Sequence, residues 1–188
     1  LVDGSTEYNN FLAQEKTTLN TYYNNQLTTA QSIATTLNNS LTSLNTGLAE
    51  DISELNTKYS SGSSFTLTDL DDAATVDTAL ADIQSAIDAR VAQLQLDGKT
   101  EEEIAADDTI KSLNTEKADV QSVKDTYTQI ASTQSALTST NANILTFQDK
   151  INDVDGVLTT EATTILNNKI TAANNGTYAD TNKATTAV

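Results

Sequence analysis

The sequence predicts an all-α protein: an elongated antiparallel helical bundle or coiled coil with two very long helices. Three observations carry this prediction. The chain contains no proline, its apolar residues recur at helical spacing over two long stretches, and its 37% hydrophobic content includes only 5% aromatic residues. A core of that composition is lean, and thin helical bundles built from aliphatic residues need no more. We expect residues 1–188 to form a single elongated helical domain.

The first helix is expected over about residues 5–59. Its apolar positions recur in steps of four, three and four that repeat every eleven residues, and only Glu15 and Gln26 interrupt them. Eleven residues over three turns keep such a stripe on one side of a nearly straight helix, about 75 Å long. The other faces carry mainly Thr, Asn, Ser and Gln, which are mediocre helix formers, so the helix needs partners along its length. The stripe comprises Tyr8, Phe11, Leu19, Tyr22, Ala30, Ile33, Leu37, Leu41, Leu44, Leu48, Ile52, Leu55 and Tyr59.

A second helix is expected over about residues 69–97, after a break at residues 60–64. The acidic segment from Thr68 to Asp71 resembles a helix start, and apolar residues from Val76 to Leu94 repeat the eleven-residue pattern in shorter form. Gly98 stands at the position just after the expected end of this helix, where glycine is common. The segment Thr100–Glu103 has the form of a capping box, which predicts a short helical turn over 101–106.

The third long helix is expected over about residues 109–173, where the apolar period changes to seven. A heptad implies a left-handed seam between helices. Gly156 could end this helix, so whether residues 152–157 interrupt it is left open, while the tail 174–188 has no periodicity and is expected to be loose. The heptad positions are Val123, Ile130, Leu137, Ile144, Ile151, Leu158, Ile165 and Ala172.

The composition argues against most chemistry. Asp and Glu number 26 against 10 Lys and Arg, which gives a formal charge of −16, so nucleic acid and anionic membranes are disfavoured partners. Histidine and cysteine are absent, and no apolar run is long enough to span a bilayer. The lack of an initiating Met indicates a processed chain or a missing N-terminal segment. We therefore predict no enzymatic activity, no catalytic, cofactor-binding or metal residues, and no cofactor.

Two acidic clusters and one acidic loop are interpreted as structural features and not as binding sites. Acids at 69, 71 and 72 and at 101–103 stand at helix starts, where capping and the helix dipole account for them. The segment 152–156 superficially resembles a Ca²⁺ loop, but its register places Ile151 and Ala162 where that loop needs acids.

Three further features of the surface bear on partners. Tyr22 occupies the apolar stripe, so its neighbour Tyr23 is expected to turn outward, where it could pack against another subunit. The end of the first helix near Glu15 and Gln26 is expected to leave its own bundle and contact another subunit. Glycosylation at the sequons of Asn38 and Asn175 is left open.

The run from Ala74 to Ile87, with sequence ATVDTALADIQSAI, resembles the start of the C-terminal helix in flagellins and related flagellar axial proteins. The richness in Asn, Thr, Ser, Ala and Leu points the same way. The resemblance implies a helical subunit that is exported and assembled outside the cell.

Together these features predict a structural subunit of an extracellular filament or cell-surface assembly, polymerising through helix–helix packing. The alternative is a helical adhesin or a receptor-binding stalk or fibre module. In the first case the partners are further copies of the chain, with other surface proteins as additional candidates. The predicted location is extracellular or at the cell surface.

Overall fold

The protein is all-α, as the sequence predicts. A computed structural model describes residues 6–59, 70–160 and 164, and no strand occurs among them. The helices are α1 (Thr6–Lys58), α2 (Ala73–Leu96), α3 (Glu101–Ala106) and α4 (Asp108–Asn152). Because α1 packs against α4, the helices form a bundle.

The chain divides into two compact units that share the two long helices. Unit 1 comprises Leu1–Ala34 and Ser139–Val188, and unit 2 comprises Thr35–Thr138. The prediction of one domain over residues 1–188 stays a prediction.

The bounds of α1 and α3 agree with the sequence within a residue or two, whereas α2 begins later than expected. Asp72, not the segment Thr68–Asp71, caps α2: its carboxylate accepts hydrogen bonds from the backbone N–H groups of Ala74 and Thr75. Thr100 caps α3 in the predicted capping box. Gly98 has a φ of 76°, the left-handed conformation that glycine adopts without strain at a helix end.

The helix expected over 109–173 is interrupted at Asp153, within the residues 152–157 whose continuity the sequence left open. Helix α4 ends at Asn152, Asp153 forms a turn, and residues 154–160 are helical again. The Asp153 carboxylate accepts a hydrogen bond from the backbone N–H of Gly156 at 3.2 Å, as the side chain of an N-cap residue does. Asp153 therefore favours the start of a new helical segment over the continuation of α4. The rest of that prediction and the tail 174–188 lie outside the described residues, except Thr164, which is helical.

Unit 2 contains a continuous apolar core between α1, α2 and α4. Both periodic patterns contribute residues to this core. Leu48 and Leu55 belong to the eleven-residue stripe of α1, and Val123 and Ile130 belong to the heptad of α4. Helix α2 contributes the most deeply buried face. Its buried residues are Val76, Ala79, Ile83, Ile87 and Leu94.

Pairs of residues that join α1 to α4 occur in opposite order along the two helices in each unit. In unit 2, Lys58 contacts Asp119, whereas residues 36–44 of α1 share a groove with residues 128–133 of α4. In unit 1, Tyr23 lies beside Phe147, and Lys16 forms an ion pair at 2.8 Å with Asp155, beyond the end of α4.

Candidate functional site: an uncharged helical surface

Large apolar side chains of α1 are exposed in unit 1. Phe11, Tyr22 and Ile33 are 45%, 54% and 48% exposed, and they stand eleven residues apart, so they lie on one side of the helix. We call these three residues the α1 face. Of the next two members of the same series, Leu55 belongs to the core of unit 2 and Leu44 is partly buried against that core. The series therefore reaches a buried core in unit 2, while the α1 face of unit 1 stays exposed.

The prediction that Tyr23 turns outward is wrong. Tyr23 is half-buried, with its ring centroid 6.5 Å from that of Phe147, while Tyr22 is the exposed neighbour. Successive residues on a helix differ by about 100° in direction. In unit 1 the α4-facing side of α1 includes Tyr23 and lies to one side of the apolar stripe, so Tyr22 is left at the surface. Its ring packs edge-on against Tyr23 at 5.1 Å.

The chain carries no charge over a long stretch that includes Tyr22 and Ile33 of the α1 face. Residues 17–49 and 126–148 include no Asp, Glu, Lys or Arg, although the whole chain carries a net charge of −16. Within unit 1 this leaves residues 17–34 of α1 and 139–148 of α4 entirely neutral. Leu145 of that α4 segment is also 62% exposed.

The threonines of this neutral stretch are less polar at the surface than their composition suggests. The hydroxyl of Thr18 donates to the backbone carbonyl of Gln14 at 3.0 Å, and that of Thr29 donates to Asn25 at 2.9 Å. Thr17, Thr21 and Thr28 make the same bond to the carbonyl four residues earlier. Because such a hydroxyl is turned toward its own helix, the methyl group is what the side chain presents outward.

Unit 2 has a second uncharged feature, a groove between α1 and α4. Its volume is about 810 Å³, and Leu44 is its one apolar lining residue. The other lining residues carry hydroxyl or amide side chains: Thr36, Asn39, Ser40, Ser43, Thr128, Gln129, Ser132 and Thr133. Such a groove offers hydrogen-bonding groups without any ionised group.

A cluster of three polar side chains in unit 2 joins α1 to α4. Asp119 accepts hydrogen bonds from the ammonium of Lys58 at 2.5 Å and from the hydroxyl of Tyr59 at 2.6 Å. Burial alone would raise the pKa of Asp119, but these two hydrogen bonds outweigh burial, so its pKa lies below the ordinary value. Burial and the bond to Asp119 raise the pKa of Tyr59. The three groups tie the end of α1 to α4.

One member of each acidic cluster, Asp72 and Glu103, is accounted for by local hydrogen bonding. Backbone N–H groups of Thr75 and Ala74 hold the pKa of Asp72 below its ordinary value. The backbone N–H of Thr100 and the ammonium of Lys99 likewise lower the pKa of Glu103. Asp69 lies outside the described residues. Across the part of the chain that the structure describes, no group of three or more acidic, His or Cys side chains is placed to hold a metal ion.

Asn38 is exposed in the middle of α1, while Asn175 lies outside the described residues. Glycosylation at either stays an open prediction. Among the described helices, none combines the length and the apolar character needed to cross a membrane.

Comparisons with known proteins place the chain in no established group. No protein-family model matches it, and neither characterised proteins nor solved structures give a match. The features that bear on function are therefore the α1 face of unit 1 and the groove of unit 2.

Proposed function

We propose that the protein is a structural subunit that assembles with copies of itself, outside the cell or at its surface, through helix–helix packing. The exposed α1 face supports this proposal most directly. Three large exposed apolar side chains in one row, two of them on a charge-free segment, are typical of a surface that a partner covers. The net charge of −16 keeps the rest of the molecule repulsive toward copies of itself, so association would be confined to neutral parts.

The proposal includes an antiparallel coiled coil as the mode of packing between the long helices. The opposite order of contacts within each unit favours this arrangement. The heptad of α4 supports a left-handed seam, while the eleven-residue stripe of α1 follows a straighter path. The resemblance of the run Ala74–Ile87 to flagellar axial proteins supports export and assembly outside the cell.

Sedimentation velocity and negative-stain electron microscopy of the purified chain test self-assembly. Samples spanning about 1 µM to 1 mM cover the affinities expected of small interfaces. We expect species larger than a monomer whose fraction grows with concentration. A sharp monomer boundary throughout this range would contradict the proposal.

The groove of unit 2 favours a second candidate, a helical adhesin or receptor-binding stalk module. Its hydroxyl and amide side chains could hydrogen-bond a glycan or an extended peptide without a charged partner. Binding to a glycan array by the monomer would favour this function. The variant Ser40→Leu, which places an apolar side chain in the groove, should then abolish the signal, while Ser53→Leu outside it should not.

A further inference from the structure

We propose that the α1 face binds the same face of a second copy, with the two α1 helices antiparallel and Tyr22 on the twofold axis. The inference deepens the self-assembly proposed above and rests on it. The juxtaposition that carries it is a row of exposed Phe11, Tyr22 and Ile33, of which Tyr22 and Ile33 lie in the charge-free segment 17–34 of α1.

The spacing of the three residues is self-complementary. Phe11 and Ile33 each lie eleven residues from Tyr22, so a twofold axis through Tyr22 sets Phe11 of one copy against Ile33 of the other. An isologous interface requires this property, in which residue i contacts residue j and j contacts i. Aromatic residues are also the side chains enriched at the centres of protein interfaces.

The charge distribution selects a copy of this chain as the occupant, and it selects the antiparallel direction. With the axis at Tyr22, residues 17–27 of the two copies face each other, and this stretch carries no charge, so it meets its copy without the repulsion that a net charge of −16 causes elsewhere. Glu15 is the charged residue within the row. An antiparallel pair sets Glu15 against Thr29, and the two Glu15 side chains lie about 21 Å apart, beyond the Debye length of about 8 Å at physiological salt. A parallel pair would set Glu15 against Glu15.

The flanking threonines complete an apolar strip. Thr18 and Thr29 lie on the same side of α1 as Tyr22 and Ile33, because they precede them by four residues. Their hydroxyls already donate to backbone carbonyls of α1. Their methyl groups can therefore be covered without leaving a hydroxyl unpaired. The strip has few large side chains, so we expect a weak, concentration-dependent dimer rather than an obligate one.

Single-cysteine crosslinking tests the geometry, because the chain contains no cysteine of its own. A disulfide needs two Cβ atoms about 3.5–4.5 Å apart, which only residues facing each other achieve. We expect Tyr22→Cys to form a covalent dimer under mild oxidation at least tenfold faster than Leu96→Cys, whose site in unit 2 is 83% exposed in the native chain. Phe11→Cys and Ile33→Cys should each crosslink slowly alone and rapidly when mixed.

Three outcomes overturn the proposal: Tyr22→Cys reacting no faster than Leu96→Cys, Phe11→Cys crosslinking rapidly with itself, or the mixture failing to crosslink. Sedimentation equilibrium gives an independent measure. Ile33→Asn should raise the dimer dissociation constant about tenfold or more, while Leu96→Asn should leave it unchanged. Equal effects of the two variants would also overturn it. Circular dichroism confirms that each variant keeps its helix content.

The same experiments separate this interface from self-assembly in general. Large assemblies in which Tyr22→Cys crosslinks slowly would leave the proposed function standing and remove this interface. A chain that is monomeric at every concentration would remove both.

Discussion

At the scale of single residues, capping side chains decide where the helices of unit 2 begin. Asp72 accepts two backbone hydrogen bonds at 2.8 Å, and the hydroxyl of Thr75 bonds back to the cap residue. Its neighbour Asp71 is also exposed and acidic but does not cap α2. The pair therefore separates the effect of a cap from the effect of a negative charge.

We expect Asp72→Ala to lower the thermal midpoint of unfolding by several degrees, because two N–H groups of α2 lose their acceptor. Asp71→Ala removes the same charge in a nearby position and should change the midpoint much less. Thermal melts followed by circular dichroism at 222 nm measure both. Equal shifts in the two variants would show that charge, rather than capping, matters at this helix start.

Acid should destabilise the fold through a small set of carboxylates. The pKa of Asp107 is lowered by the Arg90 guanidinium and by the N–H of Ile110, and backbone hydrogen bonds lower those of Asp72 and Glu103. A lowered folded-state pKa contributes stability that is complete above the unfolded-state pKa, about 4, and is lost as the pH falls through the folded-state value.

Urea unfolding at a series of pH values between 7 and 2.5 measures this dependence. From these carboxylates we expect little change down to about pH 5 and then a falling midpoint below about pH 4. The double variant Arg90→Gln/Lys99→Gln should show a weaker fall, because Asp107 and Glu103 lose their cationic partners. A midpoint that rises steadily down to pH 2.5 would contradict the assignment.

At the scale of elements, the two glycines within helical segments play different roles. Nothing lies within 4 Å of a Cβ built on Gly47, so it is not a site of close helix packing. A Cβ on Gly156 would lie 2.3 Å from a carboxylate oxygen of Asp153. Gly156 therefore leaves room for the side chain that caps residues 154–160.

We expect Gly47→Ala to stabilise the protein by about 1 kcal/mol, because alanine is the better helix former and the site is open. Gly156→Ala should be neutral or destabilising, since its methyl group displaces the Asp153 carboxylate. In an Asp153→Ala background the same Gly156→Ala change should become stabilising. Urea titrations of the four Asp153 and Gly156 combinations form a double-mutant cycle, and additive effects would show that the two residues do not interact.

Much of the fold at this scale follows from the sequence. The periodicity of apolar residues places α1 and α3 almost to the residue, because helical spacing and a capping box are local signals. The start of α2 was missed because several adjacent acids could each act as a cap, and only the backbone geometry selects Asp72. The heptad of α4 also extends one step further back than expected, to Glu116, which is 4% exposed. A charged residue at that position hid the continuation of the pattern.

The α1 face was only partly predictable. The sequence indicated an apolar stripe along all of α1, and it predicted that the end of α1 near Glu15 and Gln26 leaves its own bundle. In the structure Tyr23 still lies beside Phe147 of α4, and the large apolar side chains Phe11, Tyr22 and Ile33 on one side of α1 are exposed. The exchange of roles between Tyr22 and Tyr23 depends on the direction from which α4 packs. Tertiary packing sets that direction, and the local sequence of α1 does not predict it.

At the scale of the whole molecule, charge and neutrality are segregated along the chain. Charged residues cluster at 50–125 and 149–169, between and after the two neutral stretches 17–49 and 126–148. An acidic chain of this kind should approach a copy of itself only where charge is absent or screened.

We therefore expect salt to strengthen self-association. Raising the ionic strength from about 0.01 M to 0.1 M shortens the Debye length from about 30 Å to 10 Å, which screens repulsion between the charged parts while leaving apolar contacts intact. Sedimentation equilibrium at both salt concentrations should show a lower dissociation constant in the higher one. The reverse trend would indicate an interface held by ion pairs, contrary to the neutral α1 face.

The sparse interhelical charges of unit 2 also have a consequence for register. Lys58 is paired with Asp119, Lys124 with Asp77 at 2.6 Å, and Lys117 donates to Gln84. Sliding α4 past both α1 and α2 by a turn, about 5.4 Å, would separate all three pairs at once, whereas a threonine-rich surface loses little on the same displacement. These few lysine contacts therefore oppose sliding, and they fix the alignment of helices whose repetitive surfaces would otherwise permit several alignments.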